Sequence, residues 1–208
     1  MQILLLLLLL TSAQSGYQVL EEIPRFGAPS FFKKEVYTVQ DTKIFYASNE
    51  VKQLVDPANP DIHLMNAALF YATNHLREKK GLKACNFSEP LRDAAMLHTY
   101  EMVKRNFFDH YNRKNRTYYS PENRFQMFGL RPSSTAENID LDYVNMYEKQ
   151  TYLQVAERIV DALYHSKEHR INMLNKTYTQ LGCAVYFESK PKNGVWYLKA
   201  TQDFAGSN

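Results

Sequence analysis

The stretch LGCAVYFESKPKNGVWYLKATQDF, residues 181–204, decides the fold class of this chain. Two runs rich in valine, tyrosine, phenylalanine and tryptophan, Leu181–Ser189 and Val195–Phe204, flank the turn-forming residues Pro191 to Gly194. Branched and aromatic side chains suit a pleated, half-buried surface. Asn193-Gly194 supplies two residues that accept positive φ in a tight hairpin turn. The chain therefore ends in a β-hairpin.

Upstream of the hairpin the apolar spacing becomes helical. A long helix starts near Thr151 and buries Val155/Ala156, Ile159/Val160 and Leu163. Before it, Asn112 to Gly129 is polar, aromatic and loop-like, with a short helix expected around Glu122–Met127. Ser88-Glu89-Pro90 opens another helix, with proline in the first turn where its missing N–H costs nothing. Leu91, Ala94/Ala95, His98 and Met102 form its inner face, and it ends near Arg105. Asp61 caps a helix to about Lys79 with the stripe Met65, Ala68/Leu69, Ala72 and Leu76, and Gly81 stops it. Helices first and a hairpin last predict an α+β domain over residues 61–208. Residues 16–60 read as an N-terminal extension that wraps this domain, with a β-leaning stretch from Val36 to Ala47.

Ile3 and the seven leucines through Leu10, followed by small and polar residues, read as a secretory signal peptide over residues 1–15, cut near Ala13 or Ser15. The run is shorter than the roughly 20 residues a bilayer span needs, and no later segment is apolar enough to cross. The mature chain is expected to be soluble and secreted or periplasmic. Of the 208 residues, 45% are hydrophobic and 23% charged, which fits a globular protein. A net charge of +3, with no run of five lysines or arginines, excludes a nucleic-acid-binding stripe. In an oxidising compartment Cys85 and Cys183 can close a loop of roughly 100 residues, worth about 3–5 kcal/mol; equally, they can be two small buried apolar residues. Sequons occur at Asn86, Asn115 and Asn175.

No G-x-S-x-G elbow, P-loop, C-x-x-C or H-E-x-x-H is present. What remains is a set of histidines and carboxylates at element ends: His110 after Phe107-Phe108-Asp109, Glu137 in Ala136-Glu137-Asn138-Ile139, and Ser166, Glu168 and His169 beyond the third helix. Glu137 reads on its own as an acceptor of backbone N–H groups, and Asn138 as a fastener of the adjoining loop. His98 reads as a core histidine and Arg170 as a hydrogen-bonding anchor. His165 and His169, four apart, have the spacing of a zinc pair on one helix face. Tyr111, Tyr118, Tyr119, Tyr143 and Tyr147 are expected around the same cleft.

Five blocks occur in order: Asn74-x-x-Arg77 with Gly81-Leu82; Phe108-x-His110; Ala136-Glu137-Asn138-Ile139; Ser166-x-x-His169-Arg170 with Tyr178-x-x-Leu181-Gly182; and the Trp196–Gly206 strand with Gln202-x-Phe204. Together they resemble the CAP superfamily of cysteine-rich secretory, antigen 5 and pathogenesis-related proteins (the SCP domain), in its short bacterial-type form. The resemblance covers about 140 residues and implies an α-β-α sandwich, a small antiparallel sheet between helices. It also implies a cleft lined by two histidines and two glutamates that can hold a divalent metal. Carried onto this chain, the histidines are His110 and His169 and the first glutamate is Glu137. The second glutamate falls at about Ser166, so the tetrad is incomplete.

Two imidazoles and a carboxylate are a recognised zinc set with room for water, and such water is a nucleophile near neutral pH. Without metal, histidine–glutamate pairs can still move protons. The preferred expectation is a secreted binding or interaction module whose cleft takes a lipid, glycan, peptide or protein. The alternative is a metal-dependent hydrolase using His110, Glu137 and His169, with Ser166 as a neutral neighbour. A third expectation is a structural envelope protein with a vestigial cleft.

Overall fold

The terminal hairpin organises the sheet of this computed structural model, which describes residues 16–24, 35–38, 41–145 and 147–206. The expected leader over residues 1–15 lies outside the described residues. In chain order the first elements are helices α1 (Glu35–Thr38), α2 (Thr42–Ala47) and α3 (Ile62–Lys79), strand β1 (Asn86–Phe87) and helix α4 (Glu89–Lys104). Helix α5 (Pro121–Met127), strand β2 (Thr135–Asn145), helices α6 (Tyr152–His165) and α7 (Lys167–Met173), and strands β3 (Tyr178–Phe187) and β4 (Val195–Gly206) follow. A short helix over residues 16–21 precedes them.

The sheet has the order β1-β3-β4-β2. β4 pairs antiparallel with both neighbours, and the two-residue β1 runs parallel to β3. Asn193 and Gly194 both take positive φ in the hairpin turn, as that dipeptide requires. Helix α4 packs on one face of the sheet; α3 lies on the other, packed against α6. The result is the α-β-α sandwich.

Capping explains the helix boundaries. Asp61 accepts from the Leu64 amide, and Ser120 and Thr151 form reciprocal capping boxes with Asn123 and Gln154. Gly182 brings α4 onto the sheet: a Cβ there would lie 2.0 Å from the Arg92 amide nitrogen. Only glycine leaves room for so close a crossing.

The Asn74-x-x-Arg77 block proves to be architectural. Asn74 bonds both the carbonyl and the amide of Cys85. The buried Arg77 guanidinium donates to the carbonyls of Lys83, Met173, Asn175 and Tyr178, which fastens three separate segments to α3. Beneath them Cys85 and Cys183 are buried free thiols, with no disulfide between them. Cys85 directs its sulfur at the Tyr178 carbonyl, and burial pushes its thiol up to about 11. The two side chains thus fill the core as small apolar groups.

Two expectations are corrected. The β-leaning stretch Val36–Ala47 contains the short helices α1 and α2 instead, because Asp41 caps α2 and Phe45 stacks on Tyr71 of α3 at 4.1 Å. Tertiary packing overrides β-propensity there. The extension is also more than a wrapping: Leu20, Ile23, Phe45, Val51 and Val55 join the same core as the helices and sheet. Leu54 bridges to Thr151, and the Val55 amide bonds the Gln150 carbonyl.

Candidate functional site

The residues expected at the site gather at the edge where β2 pairs with β4, beside the loop that follows α4. Lys199 of β4 stops that helix by donating its ammonium to the carbonyls of Met102 and Phe107. Asn106 then takes positive φ and the chain turns toward β2. Asn112 pins the loop, bonding Tyr119 through its backbone and Glu101 through its side chain. His110 is carried on this loop with its ring 38% exposed.

Glu137 is the centre. Its Oε1 accepts from His110 Nδ1 at 2.8 Å and its Oε2 from the Arg124 guanidinium at 2.6 Å. Arg124, from α5, is fully buried and also donates to the carbonyls of Tyr118, Tyr119 and His110. It therefore ties the His110 loop to the strand. The acceptor role expected of Glu137 is present, but its donors are side chains and not backbone amides. Burial alone would raise its carboxyl; Arg124, then His98, then the two hydrogen bonds outweigh it and hold Glu137 ionised. The same contact raises His110 above the usual imidazole range, against burial. The hydrogen bond directs His110 Nδ1 inward and leaves Nε2 outside that contact.

His169 lies in α7, half-buried, lowered by desolvation and then by the charge of His110. Asn138 holds this helix: its Nδ2 donates to the His169 carbonyl and to Gln202, and its Oδ1 accepts from Asn172. Gln202 continues to Thr73 in α3. Asn138 thus fastens a helix where an adjoining loop was expected, in a network that joins four elements, β2, α7, β4 and α3. Ser166 is the joint between α6 and α7 and caps neither with its side chain. Glu168 is exposed in the first turn of α7. His165 is turned away, bonding the Asp161 carbonyl, and Arg170 anchors to the Tyr164 carbonyl.

Sequence reasoning missed two members of the site. Arg124 carries no motif of its own. His98 is buried as expected, yet its Nε2 lies 3.7 Å from Glu137 Oε1, and desolvation lowers its imidazole to about 4. The tyrosines divide. Tyr111 and Tyr119 face each other at 5.2 Å next to His110 and are exposed. Tyr143 is six residues along β2 from Glu137, about 20 Å away, and lies apart from this group.

The donor set does not fit a tight metal site. Both Glu137 oxygens are taken by cationic or N–H donors, and His110 Nδ1 is spent on Glu137. His110 Nε2 and the His169 ring remain, fewer than the three protein ligands of a catalytic zinc. Among the described residues no group of three histidines, cysteines or carboxylates is placed to hold a metal ion.

The model of the cysteine-rich secretory protein family, CAP, matches residues 70–200, more than half of the chain. This chain belongs to the CAP family. The Bacillus subtilis protein YkwD is 32% identical over 134 residues, which is 64% of this chain and 44% of that protein. The B. subtilis membrane protein YlbC is 29% identical over 113 residues, 54% of this chain and 29% of its own length. The chain thus spans less than half the length of these curated relatives. Among solved structures, an extracellular SCP-domain protein of Bacillus anthracis superposes with a TM-score of 0.54 at 24% identity, over 71% of this chain and 42% of that one. An outer surface protein of Borrelia burgdorferi gives 0.50 at 16%, over 67% and 90%. Both show the CAP fold.

Proposed function

We propose that this CAP domain is a secreted or periplasmic binding module whose cleft, between His110, Tyr111, Tyr119 and His169, recognises a lipid, glycan, peptide or protein without breaking bonds. One observation carries the reading: Glu137 is saturated. A carboxylate held ionised by a buried guanidinium and an imidazole is too weak a base to take a proton near neutral pH. What the cleft offers a ligand is one imidazole edge, a second imidazole and two exposed phenol rings. Aromatic rings with polar tips are enriched at recognition surfaces. Export rests on the leucine leader, and among the described residues no helix is long and apolar enough to cross a membrane.

The test pairs a glycan array and lipid-vesicle co-sedimentation with a zinc titration, comparing the mature chain with its His110→Ala/His169→Ala variant. Binding lost in the variant, with no stoichiometric zinc uptake and no turnover of ester substrates, supports the module. Zinc bound at micromolar affinity or better, together with ester turnover lost in the variant, overturns it in favour of the hydrolase.

A further inference from the structure

A cavity of about 540 Å³ opens at the hairpin end of the sheet, between the last turn of α4, the end of β3 and the turn that leads to β4. That volume is in the range of small-molecule sites. Phe187, in its wall, pairs with Leu198, whereas Glu137 pairs with Asp203. Five residues of β4 separate the two rungs, about 17 Å, so the cavity is distinct from the site around Glu137.

Its walls are apolar and stiff: Pro24, Val103, Phe187 and Pro191 with the rings of Tyr100 and Tyr186. The two phenols meet edge to face at 5.2 Å, and Tyr186 donates its hydroxyl to the Pro24 carbonyl at 2.9 Å. Aromatic rings and prolines present flat surfaces that lose little freedom when a flat ligand packs on them. The rim is cationic. Lys104, Lys190 and Lys192 stand around the opening with one carboxylate, Glu188, which Lys192 already pairs at 2.8 Å. Lys104 lies over the Tyr100 ring at 5.2 Å and Lys190 is exposed; neither meets a carboxylate among the described residues. Two ammonium groups are therefore left over. The carboxyl end of a helix ordinarily repels an anion. At α4 that end is masked, because Lys199 takes the Met102 and Phe107 carbonyls and Lys114 takes that of Arg105.

We propose that this cavity is a second binding site, which takes a small organic anion: a rigid apolar ring carrying a carboxylate or phosphate. The ring lies against Tyr100, Phe187 and Pro191, and the anionic group reaches Lys104 and Lys190 at the mouth. Removal of ring surface from water supplies most of the affinity. Ion pairs at an exposed mouth add less, and they decide which charge is accepted. The site stands whatever the residues around Glu137 recognise.

The experiment titrates the mature chain with 2-naphthoate, 2-naphthyl phosphate and the neutral 2-naphthylmethanol, followed by backbone amide NMR shifts. Wild type is compared with Lys104→Gln/Lys190→Gln, whose two replaced side chains are exposed and outside the core. Both anions should shift the amides of residues 100–106 and 186–192 and saturate at sub-millimolar concentration. Their affinity should fall about fivefold or more in the variant, while the neutral alcohol binds more weakly and equally to both proteins. Shifts confined to the His110 loop, or no saturable shift with either anion, overturn the proposal. So does equal affinity for 2-naphthoate and 2-naphthylmethanol, or a variant that binds the anions as wild type does.

Discussion

At the residue scale, the candidate site is governed by what surrounds a single carboxylate. Glu137 has a guanidinium and two imidazoles for neighbours, and the three cationic candidates are not equivalent. Arg124 is always charged, His110 is charged readily and His98 resists charge because it is buried. His98 consequently links folding to pH. Its folded value, about 4, is below the unfolded one, near 6.5. Between these two the unfolded chain binds the extra proton, so stability is full above about pH 6.5 and falls as pH drops toward 4. That difference corresponds to about 3 kcal/mol. Asp93 and Asp140, each raised to about 6 in the folded state, work in the opposite sense within that window, while His110, raised from its ordinary value, acts only above it. Subtraction isolates the histidine: urea unfolding of wild type and His98→Gln from pH 7.5 to 4 should show the variant losing about 3 kcal/mol less. Parallel curves would remove His98 from the acid response.

At the element scale, the strength of the sandwich depends on how closely α4 can approach β3. Gly182 permits that contact, and backbone atoms of Leu91 and Arg92 occupy the place a side chain would need. Backbone cannot step aside as a flexible side chain can. Gly182→Ala should therefore cost about 3 kcal/mol, as overpacking of a tight core does, read as a lower urea midpoint with an unchanged slope. A midpoint within experimental error of wild type would mean that α4 slides on the sheet without penalty. The helices and the hairpin were legible because their signals are local: caps at Asp61 and Thr151, apolar stripes at helical spacing, Asn193-Gly194 between two β-rich runs. Strand β2 was not. Its sequence, TAENIDLDYVN, mixes acids with apolar residues, and it is a strand because β4 offers a partner along its whole length. The Lys167–Met173 helix was missed for a similar reason, since its seven residues carry no apolar stripe.

At the scale of the molecule, the boundary expected at residue 60 divides a continuous core. Leu20, Ile23, Phe45, Val51 and Val55 contribute to it from the extension. Each fully buried side chain of this size is worth about 1.5–3 kcal/mol, and their sum is comparable with the whole stability of an ordinary domain. A chain beginning at Asp61 should lose cooperative thermal unfolding, or form a soluble species that binds hydrophobic dyes. If the shortened chain melted within a few degrees of the mature protein, residues 16–60 would be a detachable extension after all.

The sequence by itself determined the fold class, the family blocks and the residues His110, Glu137 and His169, because caps, stripes, turn residues and short motifs are properties of neighbours along the chain. Only the tertiary structure decided what those residues do. Arg124 and His98 lie 13 and 39 residues before Glu137, and no local pattern marks either as its neighbour. Their effect comes from burial beside Glu137, which sets how many charges one small volume out of water can hold.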